Sequence, residues 1–229
     1  MSAAPGVSAA PDPQVWARPL TTQERVMEEL RRRILTGELR PGEPVRPDQI
    51  ALELGVSRVP VREALKILEG EGQLEYRAHH GYTLAELHLP DLLEIYRIRQ
   101  LLEDEAARRA LPRLTDDDLA RMRAAIDAME RLGPQDPATM AVENRRFHLA
   151  LLEASAMPHL LHHVRLLWNA SDHYRSVYYT DEEHRRQVHA EHRRIVEAAA
   201  AGHADALVAA LDEHRDHAID GLRRILGEE

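Results

Sequence analysis

Apolar residues recur at helical spacing along most of this chain, and only one short stretch alternates as strands do. Val26, Leu30 and Ile34 lie four apart, which predicts a helix from Thr21 or Thr22 to about Thr36, with Gly37 after it. Pro41-Gly42 reads as a turn, and Arg46-Pro47-Asp48 leads into a short helical segment (Ile50, Ala51, Leu54) that stops at Gly55. Glycine there permits the positive φ of a tight turn. Ser57 is placed to cap the next helix, on which Val61, Ala64, Leu65 and Leu68 form a stripe at i, i+3, i+4 and i+7. Arg58, Arg62 and Lys66 recur every four residues on the opposite side. Gly72 closes that helix. Gln73 to Arg77 and Tyr82 to Leu84 then alternate as two short strands joined by Ala78-His79-His80-Gly81.

After a polar joint at residues 86–90 the pattern is helical throughout, broken at Pro112, Gly133-Pro134, Pro137, Pro158, about Thr180 and Gly202. These breaks predict six helices, at roughly 91–110, 115–131, 138–156, 158–178, 182–201 and 203–226. Short connections between helices of this length make an antiparallel bundle. The expected fold is therefore mainly α: a winged helix-turn-helix over residues 21–87 followed by a six-helix bundle over residues 90–229. Residues 1–20, rich in Ala, Pro, Ser and Gly, read as a mobile tail.

Composition adjusts this picture in three ways. Aromatic residues make up only 4%, so the core must be built mostly from Leu, Ala, Val and Ile. With no cysteine there are no disulfides or thiolate metal sites, which fits a reducing cytoplasm. No apolar run approaches the roughly 20 residues that span a bilayer, and no signal-peptide pattern opens the chain, so neither membrane nor secretion is expected. The net charge of −9 is spread over both halves, with 10 Lys and Arg against 12 Asp and Glu in residues 21–88 and 19 against 26 in residues 89–229. Positive charge for a nucleic-acid partner is thus local, on one helix face and the wing.

Two helices joined by a glycine turn, the second basic at its N-terminal end and followed by a hairpin, have the form of a DNA-reading head. The run Leu54-Gly55-Val56-Ser57-Arg58-Val59-Pro60-Val61-Arg62-Glu63-Ala64-Leu65, with Leu68-Glu69 and Glu71-Gly72, resembles the DNA-binding signature of GntR-family bacterial transcription regulators. The resemblance implies that Arg58 and Arg62 contact bases or phosphates and that the wing tip, His80-Gly81, enters the minor groove. The candidate DNA-binding set is Ser57, Arg58, Val59, Pro60, Arg62, His80 and Gly81. Asp48 stands where some family members carry an operator-contacting arginine, so it is not assigned to DNA; Arg46, two residues earlier, stays in the set. One such head reads too few base pairs, so a homodimer on a two-fold double-stranded operator is expected.

Eleven of the 14 histidines follow residue 89. Asn144 and His148 are i, i+4 on one helix face, and His148 shares that face with Leu151 and Leu152. His192 falls with Ile195, Val196 and Ala199, and His214 with Ala210, Leu211 and Ala218. Such inward imidazoles can be satisfied by neighbouring carbonyls, or three of them with an amide oxygen can hold Zn²⁺ or Ni²⁺. Tyr96-Arg97-Ile98-Arg99 with Leu102-Glu103, then Asn144-Arg145-Arg146-Phe147-His148, Glu191-His192 and His214 resemble the FCD ligand-binding domain of FadR-type GntR regulators, in its shorter six-helix form. The resemblance implies a divalent metal held by Asn144, His148, His192 and His214, with a small organic acid completing its coordination. Asn144 replaces the commoner aspartate and lowers the site's negative charge. Arg99 matches a cavity arginine suited to the effector carboxylate, or pairs with Glu103 on its own helix. The reading is a metabolite-responsive regulator, a repressor by expectation. Two alternatives stand beside it: a metal sensor of the same fold, and a helical metallohydrolase using Glu103 or Glu191. Against the enzyme, the chain lacks both HExxH and the His-Asp dipeptide of helical metal phosphohydrolases.

Overall fold

The structure is a computed structural model, and it describes residues 19–133 and 136–227. The expectation of a mobile tail at residues 1–20 falls almost wholly outside them. Helix α1 (Thr22–Leu35) begins at a capping box: Thr21 Oγ1 accepts from the Glu24 amide, and the Glu24 carboxylate accepts from the Thr21 amide. Its buried residues, Val26, Leu30 and Ile34, meet those of α2 (Pro47–Glu53) and α3 (Arg58–Gly70) in the smaller of two hydrophobic cores. Gly55 turns the chain between α2 and α3 at φ +63, a conformation that a side chain would strain. Ser57 occupies the N-cap position of α3, yet its hydroxyl makes no capping hydrogen bond, so the sequence-based cap is positional only.

The wing gains a strand that periodicity did not reveal. Strand β1 (Pro44–Val45) pairs antiparallel with β3 (Gly81–Leu84), which pairs with β2 (Leu74–Arg77), giving the order β1-β3-β2. Two residues are too few to show an alternation; the partner strand defines them. Leu74 opposite Leu84 turns inward, and the Tyr76 and Tyr82 rings pair across the strands at 5.0 Å.

The larger core belongs to α4 (Leu89–Ala110), α5 (Asp116–Glu130), α6 (Pro137–Leu152), α7 (Pro158–Ala170), α8 (Asp172–Tyr178), α9 (Glu182–Ala200) and α10 (Ala204–Leu226). The bundle architecture is the one the sequence predicts, but the helix expected over 158–178 is divided at Ser171 into α7 and α8. Ser171 leaves helical geometry (φ −99, ψ 2), and its hydroxyl donates to the Trp168 carbonyl, which diverts the backbone ladder. Residues 153–155 likewise leave α6 as a 3-10 turn.

The short α8 ties the molecule together, because it packs against α1, α6 and α10 at once. Gly221 of α10 lets it approach: a Cβ there would lie 2.6 Å from the Tyr178 ring. The Tyr174 hydroxyl donates to the His88 carbonyl (3.0 Å) and accepts from the His88 amide (3.1 Å), fastening α8 to the joint between the reading head and the bundle.

Candidate nucleic-acid interface and metal centre

At the head, α3 buries Val61, Ala64, Leu65 and Leu68 completely and turns Arg58, Arg62 and Lys66 to solvent. Val59, between the arginines, is 67% exposed. Ser57 and Arg46 are exposed on the same end, and Pro60 is half-buried in the first turn. His79, in the left-handed region at φ 67, tightens the wing tip; His79 and His80 are exposed, with Gly81 at φ +85 beside them. Arg58 is not free: its Nε donates to Asp48 at 2.9 Å, both side chains remaining largely exposed. An exposed pair of this kind contributes little to stability. It does hold the guanidinium at the mouth of the turn.

Within the bundle, the three histidines converge. His148, His192 and His214 are all buried, and one nitrogen from each lies within 4.8 Å of the others. The cluster is locked by packing: Phe147 stacks on His192 at 4.0 Å, and Trp168 lies 5.1 Å from His148. Burial pushes the His148 and His192 pKa values far down, and neighbouring positive groups reinforce the effect, so both rings are neutral. Glu191 accepts from Nδ1 of His214 (2.6 Å) and from Nδ1 of the half-buried His217 (2.6 Å). Burial opposes its charge, but the hydrogen bonds from His214 and His217 outweigh that and hold its pKa below the ordinary value.

Nδ1 of His214 is turned to Glu191, and its Nε2 faces Nε2 of His148 at 3.3 Å. Nitrogens bound to one tetrahedral Zn²⁺ at about 2.0–2.1 Å stand roughly this far apart. Both ring nitrogens of His192 and the Asn144 Oδ1 are buried without a hydrogen-bond partner. Two neutral imidazoles, one with both nitrogens unpartnered, beside a third oriented by a carboxylate fit a borderline divalent cation. They do not fit the carbonyl-satisfied alternative, since no carbonyl among the described residues bonds His192.

Arg99 is buried, and its Nε donates to Glu103 at 2.8 Å, so the same-helix ion pair is present. Burial disfavours its charge, yet the adjacent Glu103 carboxylate outweighs that and raises its pKa. Arg99 also lines a narrow cavity of about 20 Å³ with Asn144, His214, Trp168 and Arg175. That is room for about one water molecule. Glu103, in turn, accepts from Trp168 Nε1 (2.7 Å) and Arg215 Nη1 (3.2 Å); it is a structural counter-ion rather than a free base. Sequence reading missed the part of this wall made by Trp168, Arg175, Tyr178 and Tyr179. They straddle the break at Ser171, where helical periodicity carries no information on direction.

Comparison with known proteins decides what this arrangement belongs to. Residues 22–84 match the family model "Bacterial regulatory proteins, gntR family", and residues 94–217 match the FCD domain. The chain is a GntR-family regulator with an FCD domain. It is 30% identical to the uncharacterized HTH-type transcriptional regulator YdhC of Bacillus subtilis, over 87% of this chain and 90% of that one. It is 31% identical to the Nta operon transcriptional regulator of Aminobacter aminovorans, over 82% and 90% respectively. Among solved structures, E. coli McbR/YncC superposes with a TM-score of 0.79 at 26% identity, over 90% of this chain and 99% of that one. The GntR protein is a DNA-binding transcriptional regulator, not an enzyme, which closes the metallohydrolase alternative. No helix among the described residues is long and apolar enough to cross a membrane.

Proposed function

We propose that this GntR regulator binds a two-fold operator as a homodimer and releases it, as a repressor, in response to a small carboxylate that meets a divalent metal in the bundle. The observation that carries this reading is the convergence of His148, His192 and His214, with both His192 nitrogens and the Asn144 Oδ1 buried without partners. When bound, a Zn²⁺ or Ni²⁺ ion supplies a Lewis-acid anchor for one anionic group of the effector. His148, His192 and His214 hold it through ring nitrogens, Asn144 offers a neutral oxygen, and Glu191 orients His214. Because Asn144 adds no negative charge, an anionic effector is repelled less here than at an aspartate-containing site.

At the other end, Arg58 and Arg62 supply base and phosphate contacts, with Ser57, Val59 and Pro60 lining the groove floor. His80-Gly81 and Arg46 flank it at the wing and motif entrance. Effector binding acts through differential affinity for two arrangements of the bundle. The link from α8 through Tyr174 to His88 gives that difference a path to the head.

A second reading has its own support: the cavity beside the cluster admits about one water, so a bare metal fits without any movement whereas an organic acid does not. The test separates the two. Operator duplexes selected from a random pool are bound to chelator-treated protein, then metal and short carboxylic acids are titrated separately. Acids that weaken operator binding only in the metal-loaded protein support the proposal. Release by metal alone transfers the signal to the metal.

A further inference from the structure

The same cavity holds two guanidinium groups that are only half used. Arg99 gives Nε to Glu103, but its Nη1 is buried without a partner. Arg175, on α8, gives Nη1 to Asp172 (3.0 Å) and to the Trp168 carbonyl (3.3 Å), and its Nη2 is likewise buried without a partner. Both side chains are nearly inaccessible, at 3% and 4% exposure. Both stack on the ring of Trp168, with guanidinium carbons 4.3 and 4.0 Å from its centroid. Two like charges therefore flank one indole in a dry site. Burial, and after it the charge on Arg99, pushes the Arg175 pKa below its ordinary value.

An unpartnered donor on a buried cation is costly, and two on residues that line one cavity call for an acceptor with negative charge. Asp172 does not fill that role, since it is already shared with Arg145 through bonds of 2.8 and 2.9 Å. Asn144 and His214 line the same cavity, and the His148 ring lies 5.1 Å from that of Trp168. One small molecule can then touch the histidine cluster with one end and the arginine pair with the other.

We propose that the effector is a short-chain dicarboxylate, with one carboxylate at the histidine cluster and the second between Arg99 and Arg175. The inference rests on the carboxylate reading above and narrows it: Arg175 becomes the residue that selects dianions over monoanions. The cavity, about 20 Å³, has to widen for such a ligand. The wall that moves is α8, seven residues long and already separated from α7 at Ser171. A carboxylate held by Arg175 draws on α8 directly, and α8 packs against α1 of the reading head.

The experiment is calorimetric titration of the full chain, loaded with Zn²⁺, with malonate, succinate and glutarate against monocarboxylates of the same carbon count. The best diacid is expected to bind about tenfold to a hundredfold more tightly than its monoacid, as one charge-assisted contact confers. Arg175→Gln should erase that margin, weakening the diacid far more than the monoacid. Should this variant fail to fold by circular dichroism, Arg175→Lys and the wild-type comparison still decide. Monoacids binding as tightly as diacids overturn the dicarboxylate inference while sparing the carboxylate reading. A diacid margin that survives in Arg175→Gln overturns the role of the arginine pair. Binding of Zn²⁺ with no acid bound at all overturns the effector reading and this inference with it.

Discussion

His148 and His192 sit neutral in the bundle because burial, assisted by nearby positive groups, makes their protonated forms costly. The unfolded chain, whose histidines titrate near the ordinary 6.5, takes up protons that the folded chain refuses. Stability contributed by the neutral cluster is therefore complete above that value and lost as pH falls through and beneath it. The slope is about 1 kcal/mol per pH unit for each ring. Metal-free protein should unfold at a distinctly lower temperature at about pH 5.5 than at about pH 7.5, where ordinary surface carboxylates change little. A melting temperature that stays level across this interval would contradict the neutral cluster. Glu191 belongs to the same scale: it orients His214, a role visible only from its two 2.6 Å contacts.

Among the elements, α8 is the one with most depending on least. It is seven residues long, with a wall of the cavity (Arg175, Tyr178) on one side and Tyr174 against the interdomain joint on another. Removing the Tyr174 hydroxyl strips the His88 amide and carbonyl of this partner while leaving the ring packed. Tyr174→Phe should cost about 1–3 kcal/mol in urea unfolding. It should also speed proteolysis of the joint at residues 85–90. Unchanged unfolding together with unchanged cleavage would show that α8 does not fasten the joint. The reading head behaves differently. Its α3 is defined from end to end by its own sequence, with the stripe Val61, Ala64, Leu65, Leu68 at zero exposure and the arginines on the opposite side.

For the molecule as a whole, the net charge of −9 is an asset once the positive charge is seen to be concentrated at one end of α3 and the wing. An acidic body disfavours indiscriminate binding to DNA, so recognition depends on the few exposed arginines. In the proposed dimer, Arg62→Ala should remove a contact worth about 1–3 kcal/mol at each half-site, and lower operator affinity by roughly a hundredfold or more. The oligomeric mass measured by light scattering should not change, because Arg62 belongs to neither hydrophobic core. Wild-type affinity in a gel shift would remove Arg62 from the interface.

What the sequence determined by itself is what local chemistry encodes. Glycines that permit positive φ, period-3.6 stripes and the run from Leu54 to Leu65 were enough to define the head, the helices and the inward faces of His148, His192 and His214. Each of those signals is confined to a few neighbouring residues or to one helical repeat. The tertiary structure alone decided the two-residue β1, which exists only by pairing with β3, and the break at Ser171, which local periodicity runs straight through. It also decided the convergence of Glu191, Trp168, Arg99 and Arg175 on one cavity and its histidine cluster. Those partners come from different helices, and a helical pattern states which face is buried without stating which charges will meet there.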